Sequence, residues 1–221
     1  RPVAPAAPSE PPRTLSLTDI RQEMGDCRRC KLWKTRTHLV FGTGNPQARL
    51  MFIGEAPGAE EDQQGEPFVG RAGQLLTKMI QTMGLERKDV YIGNILKCRP
   101  DMPPGVPGNR PPTSEEIANC RPYLQRQIEL IRPRVIVALG ASAMKGLFGD
   151  AQFTMSAVRG KWRDYLGIPL IPTFHPSYLL RKAGPGGIRE KRKAWEDLLA
   201  VMDKLGMPVS EKQRNYFLGS M

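Results

Sequence analysis

Residues 48–62 read ARLMFIGEAPGAEED, a compact apolar run over Ala48–Gly54 cut off by the turn-forming GEAPG. A short apolar run stopped by Gly and Pro is the pattern of a buried strand that delivers its end into a loop. Working outward, Ala72–Met83 places Leu75, Leu76, Met79, Ile80 and Met83 at helical spacing, closed by Gly84. Val90–Ile92, Val135–Leu139 and Ile168–Thr173 read as three further strands, the last ending directly at His175. Between them, Thr113–Glu116 fits a capping box, followed by Ile117, Cys120, Leu124, Ile128 and Ile131 on one helical face, and ASAMKGLF reads as a short helix. A helix from about 190 to 205 closes the core, and residues 15–30 read as a short helix ending at a Cys pair. Strands separated by helices imply parallel pairing, so the expected fold is α/β, a three-layer α/β/α sandwich with a short central parallel sheet. In such sheets ligands bind at the strand carboxyl ends.

The domain plan follows composition. Residues 1–14, RPVAPAAPSEPPRT, hold five prolines and read as a Pro-rich disordered tail; 15–205 form one domain, and 206–221 a C-terminal extension. No apolar run approaches the ~20 residues of a helical membrane span, which excludes a helical membrane protein. Lys and Arg number 33 against 22 Asp and Glu, a net charge of +11. A basic excess of this size points to an anionic partner, most often nucleic acid.

Four cysteines occur, Cys27 and Cys30 as C-x-x-C, then Cys98 and Cys120. A C-x-x-C loop presents two thiolates to one centre, and two from distant segments complete a ligand set. Spacing alone favours a metal or iron–sulfur site over a redox pair or disulfides, without choosing between zinc and a cluster. The flanking Arg28, Arg29, Lys31, Lys97, Arg99 and Arg121 suit an anionic cluster or a DNA backbone equally.

The first strand-end loop carries five carboxylates, Glu55, Glu60, Glu61, Asp62 and Glu66, and no phosphate-binding G-x-x-x-x-G-K-[ST]. These acids repel phosphate, so the loop is no triphosphate cradle; a carboxylate at a strand end suits activation of water or stabilisation of a cationic transition state. Glu60, Asp62 and Glu66 read as solvated loop or helix-start residues. Phe68, in PFVG, is a core plug or a platform for a base. His175, fixed before Pro176 at a strand end, suits donation to a developing anion, and two histidines are too few for a His-based metal site.

Taken together, these residues resemble the family 4 uracil-DNA glycosylases, the iron–sulfur class of bacteria and archaea. The resemblance covers roughly residues 20 to 200 and is carried by Cys27-x-x-Cys30, GEAPGAEED at 54–62, PFVGRAG at 67–73, YIGNILKCRP at 91–100, Cys120 and HPSYLLR at 175–181. It implies a uracil-DNA glycosylase fold, a structural 4Fe-4S cluster on Cys27, Cys30, Cys98 and Cys120 with no catalytic metal, and hydrolysis of the N-glycosidic bond of deoxyuridine. By motif position it implies Glu55 as the main catalytic carboxylate and Glu61 as a weaker candidate for placing water. Phe68 matches the aromatic stacking on flipped uracil, Asn94 the amide reading its edge with Ala56 beside it, and His175 the donor to O2. Leu179 matches the wedge that fills the vacated stack, helped by Arg181. The implied partner is uracil-containing DNA, single- or double-stranded, bound by a monomer in prokaryotic cytoplasm. The resemblance does not explain the Pro-rich tail or the C-terminal SEKQRNYFLGSM, which either dock a partner such as a sliding clamp or do nothing. One departure from the family is the long Cys98–Cys120 spacing, extended by MPPGVPG. The alternative function is a non-catalytic iron–sulfur nucleic-acid-binding module, disfavoured by the convergence of Glu55, Asn94 and His175 at strand ends.

Overall fold

In a computed structural model, which describes residues 15–103, 105–106, 108–149, 154–182 and 184–218, every expected strand forms and two short ones are added. The strands are β1 (Thr43–Gly44), β2 (Leu50–Gly54), β3 (Tyr91–Asn94), β4 (Val135–Leu139), β5 (Arg163–Tyr165) and β6 (Ile168–Thr173). They form one sheet in the order β1-β3-β2-β4-β6-β5. The central four strands run parallel, and β1 and β5 pair antiparallel at the two edges. The helices are α1 (Leu17–Met24), α2 (Ala59–Gln64), α3 (Arg71–Thr82), α4 (Ser114–Ile131), α5 (Ala141–Phe148), α6 (Met155–Val158), α7 (Pro176–Arg181), α8 (Gly184–Lys204) and α9 (Glu211–Arg214).

Strand alternation sorts the core into two layers. Met51 and Ile53 of β2 pack with Leu124 and Ile128 of α4 and Met144 and Leu147 of α5. Leu50 and Phe52 face the other way, onto Leu76 and Ile80 of α3 and Leu198, Val201 and Met202 of α8. β2 and β4 are buried along their whole length because helices cover both faces, which is why their sequences are continuously apolar rather than alternating. The capping box at α4 forms as expected: Glu116 N–H donates to Thr113 Oγ1 and Thr113 N–H to the Glu116 carboxylate.

Of the expected C-terminal extension, the described residues 206–218 pack against the body. The Trp195 indole donates to Gln213 O at 2.6 Å, the Gln213 amide donates to Thr82 O at 2.7 Å, and Tyr216 packs on the α3/α8 layer. Arg192 of α8 donates to Arg214 O and Tyr216 O and pairs with Glu196, tying the segment down further. The Pro-rich 1–14 tail lies outside the described residues. No helix among those described is long and apolar enough to cross a membrane.

Candidate active site and four-cysteine corner

The carboxyl ends of all four parallel strands open into one cavity of about 910 Å³. β2 supplies Glu55, Ala56, Pro57 and Gly58; β3 supplies Asn94; β4 supplies Gly140 and Ser142; β6 supplies Phe174 and His175. The loops after β2 and β3 are tied together, Ile95 N–H donating to Gly54 O and Leu96 N–H to Glu55 O. Glu55 and Asn94 are therefore held side by side although 39 residues separate them.

Phe68 and Asn94 meet over Gly54. A Cβ on Gly54 would lie 2.4 Å from Asn94 Oδ1 and 2.5 Å from Phe68 Cζ, so only glycine leaves room for the ring and amide to converge. Asn94 is 2% exposed, and its Oδ1 accepts no hydrogen bond among the described residues. A buried acceptor without a donor costs about 1–3 kcal/mol, an arrangement expected where a ligand supplies the donor. The Phe68 ring stands 5.6 Å from the His175 ring, centroid to centroid.

His175 caps α7: Ser177 N–H donates to His175 Nδ1 at 3.1 Å, with the Ser177 hydroxyl 2.8 Å away. An accepting Nδ1 leaves the ring proton on Nε2. Burial and the nearby Arg181 charge push His175 down to about 4, so the ring is a neutral donor at ordinary pH. Burial pushes the Glu55 carboxyl above its usual range, against a weaker pull from the Ser142 side chain.

Glu61 lines the same cavity, but its carboxylate is committed to the backbone. Oε1 accepts from Val69 N–H and Gly70 N–H, both at 2.9 Å, and Oε2 accepts from Gly58 N–H at 3.1 Å. These three bonds make Glu61 a brace for two loops, a role not expected of it, at the edge of the cavity it was expected to supply with water. Asp62 likewise is buried, accepting from Thr37 N–H, rather than solvated. Leu179, expected as the wedge, is instead 3% exposed and packed with Phe174 and Ala194, whereas Leu180 is 41% exposed. Arg181 does line the cavity.

Sequence reasoning passed over Ser142, although GAS directly follows a strand, the same signal that singled out Glu55 and His175. It also missed Arg159, an isolated residue with no motif. Arg159 lines the cavity, held by a 2.7 Å bond to Asp197, which also accepts from the Thr173 hydroxyl and is pushed up to about 6 by burial.

The four cysteines converge on a second, smaller cavity behind β3, together with Arg36 and Lys97. Arg36 Nη1 donates to Cys98 Sγ at 3.1 Å and Lys97 N–H to Cys120 Sγ at 3.2 Å; no disulfide links any pair. Burial pushes the Cys30, Cys98 and Cys120 thiols upward, Cys120 to about 12, against the pull of Arg36 on Cys30 and Cys98 and of Lys97 on Cys120. Among the described residues, no three His, Cys, Asp or Glu side chains converge on one point suited to a single ion. Four thiols set around a cavity, with N–H donors already on two sulfurs, fit a cluster carrying one thiolate per iron.

The family model described as the Uracil DNA glycosylase superfamily matches residues 41–199. A Type-4 uracil-DNA glycosylase of Sulfurisphaera tokodaii is 42% identical over 212 residues, 92% of this chain and 91% of that protein. The Type-4 enzymes of Archaeoglobus fulgidus and Thermotoga maritima are each 49% identical, over 75% and 73% of this chain and 83% and 82% of their own lengths.

Proposed function

The chain belongs to the uracil DNA glycosylase superfamily, and from that premise we propose that it excises uracil from DNA, hydrolysing the N-glycosidic bond and leaving an abasic site. The observation that carries this reading is the orphaned Asn94 Oδ1 beside the Phe68 ring over Gly54. Uracil N3–H supplies the missing donor, and the Asn94 amide N–H₂ donates to O4. Cytosine presents the reverse pattern, a difference worth about 1–3 kcal/mol when the amide is held in place. Uracil within a duplex is out of reach, so it is flipped out at a cost of a few kcal/mol. Stacking on Phe68 offsets about 1–3 kcal/mol of that, and Ala56 lines the cavity beside the base.

Chemistry follows from charge. As the C1′–N1 bond breaks, positive charge grows on the sugar and negative charge on uracil. The His175 Nε2–H donates to O2 and holds the anion without transferring a proton, consistent with a ring that stays neutral down to about pH 4. Glu55 faces the sugar, stabilises the cation and accepts the proton of the water whose oxygen bonds to C1′. Arg181, which lines the cavity, meets the DNA backbone.

Cys27, Cys30, Cys98 and Cys120 hold a 4Fe-4S cluster, which when bound cross-links the N-terminal segment, the β3 exit and α4. None of the residues performing hydrolysis lies in that corner. The same reading has the protein act as a monomer, with Phe217 and Leu218, exposed near the C-terminal end, as the apolar side chains through which a sliding clamp docks. The test is an oligonucleotide carrying one uracil, with a thymine control, incubated without magnesium and then treated with mild alkali. Breakage at uracil alone is the expected result. Tight DNA binding with no breakage would leave a non-catalytic iron–sulfur module. Brown colour with broad visible absorbance, against a colourless zinc protein, decides the cofactor.

A further inference from the structure

We propose that Arg87, outside the cavity and remote from the chemistry, is a positioning residue that sets the Phe68 ring for stacking on the base; this rests on the uracil reading above. Phe68 has a backbone φ of +55°, in the left-handed region that non-glycine residues avoid, so its own backbone preference does not hold it there. The surroundings do. Arg87 Nη2 donates to Pro67 O at 2.8 Å and Nη1 to Phe68 O at 3.1 Å. Glu61 grips the next two amides, Val69 and Gly70, from the other side.

Arg87 is anchored in turn. It sits on the 3-10 turn Arg87–Asp89 that leads into β3, and Nη1 also approaches the Thr77 hydroxyl at 3.3 Å. Thr77 donates to Gly73 O, and Gly73 presses on the Phe68 backbone so closely that a Cβ would lie 1.9 Å from its carbonyl. Among the described residues the guanidinium has no carboxylate within ion-pair distance. Burial lowers its pKa against the weaker pull of the Glu66 and Glu61 carboxylates, and its hydrogen bonds go to the two carbonyls of the Phe68 turn and to Thr77. A partly buried guanidinium with no directly bonded carboxylate among the described residues is costly, and here it holds in place a ring that the sequence alone would leave free to relax.

The test is a double-mutant cycle on uracil release from single-stranded DNA, with Arg87→Met, Phe68→Ala and the pair, and Arg87→Lys alongside. Arg87→Met is expected to raise KM about tenfold with kcat within about twofold, and to weaken inhibition by free uracil by a similar factor. Lysine reaches one carbonyl at a time, so Arg87→Lys should fall between; it also stands in if Arg87→Met does not fold. The double variant should be no worse than Phe68→Ala alone. Additive losses, or a fall in kcat and thermal midpoint with KM unchanged, would overturn the positioning role while leaving uracil excision intact. If the wild-type protein releases no uracil, the functional reading fails first and takes this inference with it.

Discussion

The base cavity and the four-cysteine corner lie three residues apart in the chain, at Asn94 and Lys97–Cys98, yet they are finished differently. In the cavity, polar groups are positioned and left waiting: Asn94 Oδ1 has no donor, and His175 is locked with its proton on Nε2. In the corner, N–H donors already sit on Cys98 and Cys120, and Lys97 Nζ donates to Asn94 O. A site that turns over must keep vacancies for each new substrate. A site that joins distant segments is satisfied once and stays so.

The contrast is broken most forcefully by exchanging the two kinds of damage. Glu55→Gln should lower kcat by about 10²–10⁴ and His175→Ala by about 10²–10³, both with the thermal midpoint near that of the parent. Full activity in either, measured on single-stranded uracil DNA, would remove it from the chemistry. Cys98→Ser should do the reverse, losing iron and lowering the thermal midpoint on the order of 10 °C. An unchanged midpoint would mean the corner holds nothing together.

The leucine pair sharpens the same division within six residues of helix. Leu179→Ala should cost about 2–5 kcal/mol of stability as a core truncation, read by denaturant unfolding. Leu180→Ala should stay within about 0.5 kcal/mol. Equal losses would show that burial does not separate them.

The strands were legible because each is a short apolar run stopped by Gly, Pro or a polar residue, and the rule that parallel sheets bind at their carboxyl ends brought Glu55, Asn94 and His175 together. The edge strands β1 and β5 were not. They are two and three residues long, largely solvent-facing, and exist only through pairing with β3 and β6. Nor did the sequence tell Leu179 from Leu180, since a six-residue helix carries too little periodicity to set its phase. The bracing role of Glu61 was not legible because its partners, the amides of Val69 and Gly70, carry no side-chain signal. The C-terminal segment gave no core pattern because main-chain carbonyls receive the Trp195 and Arg192 donors.

The smallest effect concerns pH. Because His175 is neutral above about 4, it should not titrate across the working range, and the acid limb of kcat should belong to Glu55. Protonation removes the carboxylate, so activity should fall as pH drops through a value above the ordinary 4.5 of a glutamate. The residual activity of Glu55→Gln should lack that limb; a limb that survives would belong to another group.

The central claim is that the Asn94 amide, held over Gly54 beside Phe68, reads the base. Calorimetric titration of free uracil and free cytosine into the parent protein and into Asn94→Asp tests it without any bond breaking. Uracil should bind over cytosine by about 10–100-fold in the parent, and Asn94→Asp should lose that preference, because a carboxylate has no N–H for O4. Equal binding of the two bases by the parent, or a preference that survives the substitution, would contradict it.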